Sequence, residues 1–280
     1  MTTPVTRGGD KMAPDPDVQE TAAEARLRAG DSEGARQALL ERLRAHPQDQ
    51  RARMFLFQIL CVEGAWDKAR AQLGTLAQLS PEAQMLAVAY RQAIDAETAR
   101  AAACAGDAPA PVLHGEADWM ADLARAFALS GEAAAALRGQ AFDAAPDTPG
   151  EVDGRAFDFL YDGDARFGPA MEAIVAGRWG LIPFAAIEEI RTEGPVDLRD
   201  LVWLPVELRF REGGTAAALL PARYPGTEEE ADAELRLARR TVWREEDGAV
   251  RGLGQRVWTT SAGDDIGILS FRSIRFATPA

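Results

Sequence analysis

A 34-residue internal repeat near the N-terminus restricts the architecture of this chain more than any other feature of its sequence. Gly30 recurs as Gly64, Ala35 as Ala69, Arg36 as Arg70, Leu39 as Leu73 and Pro47 as Pro81. The period is that of a tetratricopeptide-type unit, two antiparallel helices closed by a tight turn. Each matched residue has a physical reason to recur. Glycine allows a left-handed turn or a close approach between helices. Alanine offers only a methyl, so facing helices can touch. Proline ends one unit and begins the next.

The repeat predicts helices over residues 18–29 and 32–45, then over 48–63 and 66–79. A long helix is expected from Glu82 to Cys104, with Met85, Leu86, Ala89 and Ala93 on one face. The stretch Ala108-Pro109-Ala110-Pro111 interrupts the pattern. A last pair, Glu116 to Leu129 and Glu132 to Ala144, is expected around Ser130-Gly131. Gly131 falls one position short of two further periods after Gly64, so this pair is out of strict register.

Near residue 150 the composition changes from Ala- and Leu-rich to Gly-punctuated apolar runs that hold Trp179, Trp203, Trp243 and Trp258. The junction Ala145-Pro146-Asp147-Thr148-Pro149-Gly150 has the composition of a domain boundary. The expected organisation is a disordered leader over 1–17, a helical domain over 18–149 and a β-rich domain over 150–280. Hairpins are expected where Met171–Val175 meets Trp179–Phe184, and where Val202–Phe210 meets Thr215–Pro221. Pro205 assigns the first strand of the latter to an edge or a bulge. A helix is expected from Glu228 to about Arg239, and closing strands over Arg251–Thr260 and Ile266–Phe276. The fold class is α+β: a tetratricopeptide-like superhelix followed by a twisted sheet or partly open small barrel with one helix.

Charge narrows the function. With 31 basic and 44 acidic side chains the net charge is −13, which opposes generic nucleic-acid binding and anionic membrane surfaces. No run approaches the roughly 18 apolar residues of a membrane helix. Cys61 and Cys104 form no metal-type spacing, and His46 and His114 stand apart; no metal or cofactor is expected. Asp162-Gly163-Asp164 invites a calcium reading, but the twelfth loop position is Ala173 where a bidentate glutamate is needed, so a turn with solvated carboxylates is expected. Gly252-Leu253-Gly254-Gln255 lacks the context of a dinucleotide loop and reads as a strand bend. No nucleophile elbow, Walker loop or zinc helix occurs, so an enzyme is not expected.

The second half carries a series of motifs in fixed order. They are Phe167-Gly168-Pro169 with Met171-Glu172-Ala173-Ile174-Val175, then Leu181-Ile182-Pro183-Phe184, then Asp197-Leu198-Arg199-Asp200-Leu201-Val202-Trp203-Leu204-Pro205. Pro221-Ala222-Arg223-Tyr224-Pro225-Gly226, Leu235 to Trp243 and Gly252-Leu253-Gly254-Gln255-Arg256 follow. In this order they resemble the ImpE/SciE family, also called TagJ, accessory proteins of type VI secretion systems. The resemblance implies a non-enzymatic cytoplasmic adaptor. Its implied partners are the N-terminal helix of the smaller tail-sheath subunit and the AAA+ ATPase that recycles the sheath.

Stacked helix pairs leave a groove suited to an amphipathic partner helix. Met54-Phe55-Leu56-Phe57-Gln58-Ile59-Leu60 is apolar on too many faces for a helix with one buried stripe. Either Phe55 or Phe57 should then face a partner or a neighbouring domain, unless the helix is central and buried on both sides. Arg51, Phe55, Phe57 and Gln58 are candidate partner contacts, with Trp203, Arg223 and Tyr224 in the second half. The same three residues also have a structural reading, with Trp203 in the core and Arg223 pairing with Asp200. Two alternatives stand beside the adaptor. One is a small-molecule or nucleotide-modifying enzyme using Asp197, Asp200, Arg223 and Tyr224, which requires a deep polar pocket joining them. The other is a purely structural homo-oligomer.

Overall fold

The computed structural model describes residues 21–246 and 249–278. The expected leader over 1–17 lies outside them. The helical half comprises α1 (Ala22–Arg28), α2 (Ser32–Ala45), α3 (Gln50–Val62), α4 (Trp66–Leu79), α5 (Pro81–Cys104), α6 (Asp118–Ala126) and α7 (Gly131–Ala144). The repeat is visible atom by atom. Gly30 and Gly64 both adopt positive φ, +83° and +66°. At the first, the Asp31 N–H donates to the Arg26 carbonyl; at the second, the Ala65 N–H donates to that of Leu60. These are equivalent Schellman closures. Ala35, Ala69 and Leu73 are sealed where the paired helices cross, and Leu39 nearly so. Asp31, Asp49 and Ser80 cap the following helices through their side chains, and Pro81 takes the first position of α5.

Strands follow from Gly150: β1 (Gly150–Val152), β2 (Arg155–Phe157), β3 (Leu160–Asp162), β4 (Ala170–Val175), β5 (Arg178–Pro183), β6 (Ile187–Arg191), β7 (Trp203–Phe210) and β8 (Thr215–Pro221). After a four-residue helix, α8 (Ala233–Arg236), come β9 (Thr241–Glu246), β10 (Ala249–Gly254), β11 (Val257–Thr260), β12 (Asp265–Gly267) and β13 (Ser273–Phe276). Eight of them form one antiparallel sheet in the order β2-β1-β13-β6-β7-β8-β4-β5. It is an open sheet with two ends, and the barrel alternative does not apply to the described pairings. The outer edge of β5 is covered by Pro111–Leu113, whose backbone exchanges hydrogen bonds with Leu181 at 2.7 and 2.9 Å. That cover removes an aggregation-prone edge.

Period-two alternation sorts the sheet's faces. Ile174, Trp179, Leu181 and Trp203 join the helices in one buried cluster. Met171, Ala173, Ile182, Leu204, Val206 and Leu208 point the other way, into a second cluster with Trp258 and Phe271.

Several expectations are corrected. Strand β7 is interior, although it contains Pro205. The β6–β7 ladder ends at Arg191 opposite Glu207, so Pro205 lies beyond it and needs no N–H on that side. The helix expected over Glu228–Arg239 shrinks to α8, because Asp232 caps a new start and Ala238 turns to φ +52°. Arg251–Thr260 is not one strand: it breaks at Gln255-Arg256 into β10 and β11, where Arg256 turns inward. Ile266–Phe276 likewise splits, with β12 pairing β11 and β13 entering the large sheet. No helix among the described residues is long and apolar enough to cross a membrane.

Two glycines give opposite expected outcomes. Gly30→Ala should cost about 1–2 kcal/mol, because an L side chain must enter left-handed backbone. Gly139→Ala, in the interior of α7 with open space at its Cβ, should gain about 0.5–1 kcal/mol. Urea unfolding of both variants checks the pair.

Candidate functional site

A chain of buried charges joins the two halves. On α5, helical spacing places Glu97 and Arg100 on one face, one turn apart, among Ala93, Ala96 and Ala103. Arg100 donates from Nε to Glu172 Oε2 at 2.6 Å and from Nη2 to Glu172 Oε1 at 3.0 Å. It also reaches Glu97 at 3.2 Å and the Arg223 carbonyl at 2.7 Å. Two indoles complete the carboxylates: Trp203 donates to Glu97 at 2.8 Å and Trp179 to Glu172 at 2.7 Å. Arg256 continues the chain by bridging Glu172 and Asp162, its guanidinium between the Phe167 and Tyr224 rings at 4.6 and 4.7 Å.

Four acids (Glu97, Asp162, Asp164, Glu172) and four arginines (Arg100, Arg166, Arg223, Arg256) are buried here, so the formal charges cancel. Burial pushes the Asp162 carboxyl up, with Arg256 opposing it. Burial also works against ionisation of Asp164, but its hydrogen bonds and charge pairing with Arg166 prevail and hold it below the usual carboxylate range. The Asp162-Gly163-Asp164 turn is therefore not the solvated turn expected from sequence. Its carboxylates are interior, and Gly252 packs so closely beneath the Tyr224 ring that its N–H reaches Asp164 Oδ2 at 2.9 Å. Among the described residues no cluster could hold a metal ion.

The helices leave a groove of about 1000 Å³ that none of the network's charged side chains lines. From α3 it takes Arg51, Met54, Phe55 and Gln58; from α2, Leu39 and Arg42. The first turn of α1 closes one wall, and Asp197 and Leu198 of the sheet half form a lip opposite. That lip is rigid. Asp197 caps the 3-10 turn Leu198–Leu201, and Asp200 accepts from the Val196 and Asp197 N–H groups at 2.7 and 3.1 Å. Arg199 pairs with Asp197 and lies over the Tyr90 ring at 4.8 Å. Burial pushes the Tyr90 hydroxyl up to about 12 despite that arginine.

The sequence candidates divide between the two places. Arg51, Phe55 and Gln58 line the groove, with the Arg51 side chain 80% exposed. Phe57, Trp203, Arg223 and Tyr224 are interior and are not available to a partner. Residues two apart on a helix lie about 200° round its axis, so Phe55 and Phe57 cannot share a face. Phe57 meets Tyr90 edge-on at 5.9 Å, and Trp203 packs on Trp66 and Tyr90 at 5.6 and 5.9 Å. Arg223 does not pair with Asp200. It donates to the Val62, Cys61 and Arg236 carbonyls at 2.8, 3.4 and 2.7 Å, closing the C-terminus of α3. The Tyr224 hydroxyl sits 3.1 Å from Asp162 and 2.9 Å from the Val257 carbonyl. Asp197, Asp200, Arg223 and Tyr224 therefore serve separate structural contacts and do not converge on one pocket. Cys61 is buried, and burial pushes its thiol up, out of nucleophilic range.

The sequence pattern does not single out Glu97 or Arg100, places Asp162 in a solvated turn, and carries Glu172 and Arg256 within motifs without a role. The available signals were a charged residue inside an otherwise apolar strand and a Glu-x-x-Arg pair on an alanine face. Glu172→Gln should cost about 3–5 kcal/mol, because Arg100 keeps only Glu97 and Arg256 only Asp162, and the buried network is left with one uncompensated positive charge. Trp203→Phe, which removes one hydrogen bond to a charged acceptor, should cost about 1.5–3 kcal/mol. Denaturant midpoints of the two variants check the order.

The profile of the ImpE family, described as "ImpE protein", matches residues 154–275. The type VI secretion system accessory component TagJ of Pseudomonas aeruginosa is 44% identical over 246 residues, 86% of each chain. The crystal structure of protein VPA1032 from Vibrio parahaemolyticus has the same fold, with a TM-score of 0.82 at 23% identity, over 92% of this chain and 98% of that one. The chain belongs to the ImpE (TagJ) family of type VI secretion accessory proteins.

Proposed function

We propose that this chain is a non-enzymatic cytoplasmic adaptor of a type VI secretion system, and that its groove takes the N-terminal helix of the smaller tail-sheath subunit. The observation that carries the reading is the groove at α3, where the ring of Phe55 and the thioether of Met54 stay partly open beside the polar Arg51 and Gln58. An amphipathic helix binds such a surface by seating apolar anchors one turn apart. A helix about 10 Å across fills about 1000 Å³ in roughly two turns, enough for two or three anchors.

In this reading residues 18–149 are the recognition unit and 150–280 the frame that holds it. A connection to the AAA+ ATPase that recycles contracted sheath would then run through the adaptor-bound sheath subunit. Catalysis finds no support in the site: Asp162, Asp164, Glu172 and Asp197 are paired with arginines, Asp200 is spent on backbone N–H groups, and the Cys61 thiol is buried.

Calorimetric titration of the full chain with a synthetic peptide of the sheath subunit's N-terminus tests the proposal. Phe55 is half-buried at the groove, so Phe55→Asp should leave the fold intact and weaken binding by about tenfold or more. Absence of saturable binding at about 50 μM, or equal binding by the Phe55→Asp variant, would contradict it.

A further inference from the structure

One wall of the groove at α3 does not come from the helical half: the lip of Asp197 and Leu198. Just before that lip stands Val196, the most exposed large apolar side chain among the described residues, at 85%. Exposure alone assigns nothing, because single apolar side chains are common on protein surfaces. Position and rigidity carry more. Val196 lies two residues before Leu198, so its backbone is within about 7 Å of that of a residue lining the groove.

The segment that presents Val196 is tied down on both sides. Upstream, the Thr192 hydroxyl donates to the Pro205 carbonyl at 2.8 Å and accepts from the Gly194 N–H at 3.0 Å. Gly194 takes φ +82°, and the Arg272 guanidinium lies where a side chain there would project. Pro195 has its φ fixed by its own ring. Downstream, the Val196 N–H donates to the buried Asp200 carboxylate at 2.7 Å. Leu198 is half-buried against the cluster shared by both halves. The valine is therefore held out in water by backbone that has little freedom left to lose, and a partner that covers it meets almost no ordering cost.

We infer, on the groove reading proposed above, that Val196 is the sheet half's own contact with the helix in the groove, and that this helix carries a second apolar side chain on the flank turned to the lip. A helix about 10 Å across that seats one face on Phe55 and Met54 turns its flank to the opposite wall. The side chain next in sequence to an anchor points about 100° away round the axis. The partner's pattern is then an adjacent apolar pair, not only single anchors one turn apart. The contact is apolar rather than ionic, because the Asp197 carboxylate at the lip is already paired with Arg199.

Calorimetric titration of the full chain with the sheath-subunit peptide tests the valine contact. Val196→Asp and the uncharged Val196→Ser should each weaken binding by about threefold or more, and Val196→Ile should preserve it. Urea midpoints of all three should match the parent, since a side chain 85% exposed contributes little to the fold. Met85→Asp, at a side chain 79% exposed on α5 and outside the groove lining, should leave the affinity unchanged. If Phe55→Asp weakens binding while both polar Val196 variants bind like the parent, the valine contact is overturned and the groove reading stands. If the parent does not bind the peptide, both are overturned. A loss with Met85→Asp equal to that with Val196→Asp would also overturn the assignment to the lip.

Discussion

The contact between Arg100 and Glu172, extended by Arg256 to Asp162, fixes how the helical layer sits on the sheet. Moving these groups out of water costs several kcal/mol per ion, and only near-complete pairing recovers it. A helix shifted by one turn would strand Glu97 and Arg100 against apolar strands. The network is therefore weak evidence for high stability and a strong constraint on register. Two tryptophans reinforce it, since each indole bonds a carboxylate while its ring fills the cluster between the halves.

That register determines the groove. Helix α3 is held from the sheet half: Arg223 closes its C-terminal carbonyls, and the 3-10 turn Leu198–Leu201 packs against it. One stretch of α3 is therefore buried all round while Phe55 and Gln58 stay open to the groove. A site assembled on helices and buttressed this way is ready-made, so a partner helix need not pay to order it.

The sequence revealed those features whose physics is local. The Gly30/Gly64 and Ala35/Ala69 matches report backbone sign and helix contact directly, and Ala176-Gly177 marks the β4–β5 hairpin because both residues take positive φ. Phe55 and Phe57 were legible as alternatives, but which of them faces out was not, because a helix that is apolar on every side does not say which face meets which neighbour. The buried network was illegible for a different reason: Glu, Asp and Arg read as solvent-facing unless their counter-charges, 72 to 94 positions away, are known to meet them. Pro205 misled because its effect depends on where the neighbouring strand ends.

Native-state hydrogen exchange addresses the coupling of the two halves most directly. Amides of α5 around Arg100 and amides of β4 around Glu172 should open with the same free energy, as parts of one cooperative unit. Exchange of the α5 amides through a lower-energy opening, while β4 stays protected, would contradict the account and make the helical layer a separately folding attachment.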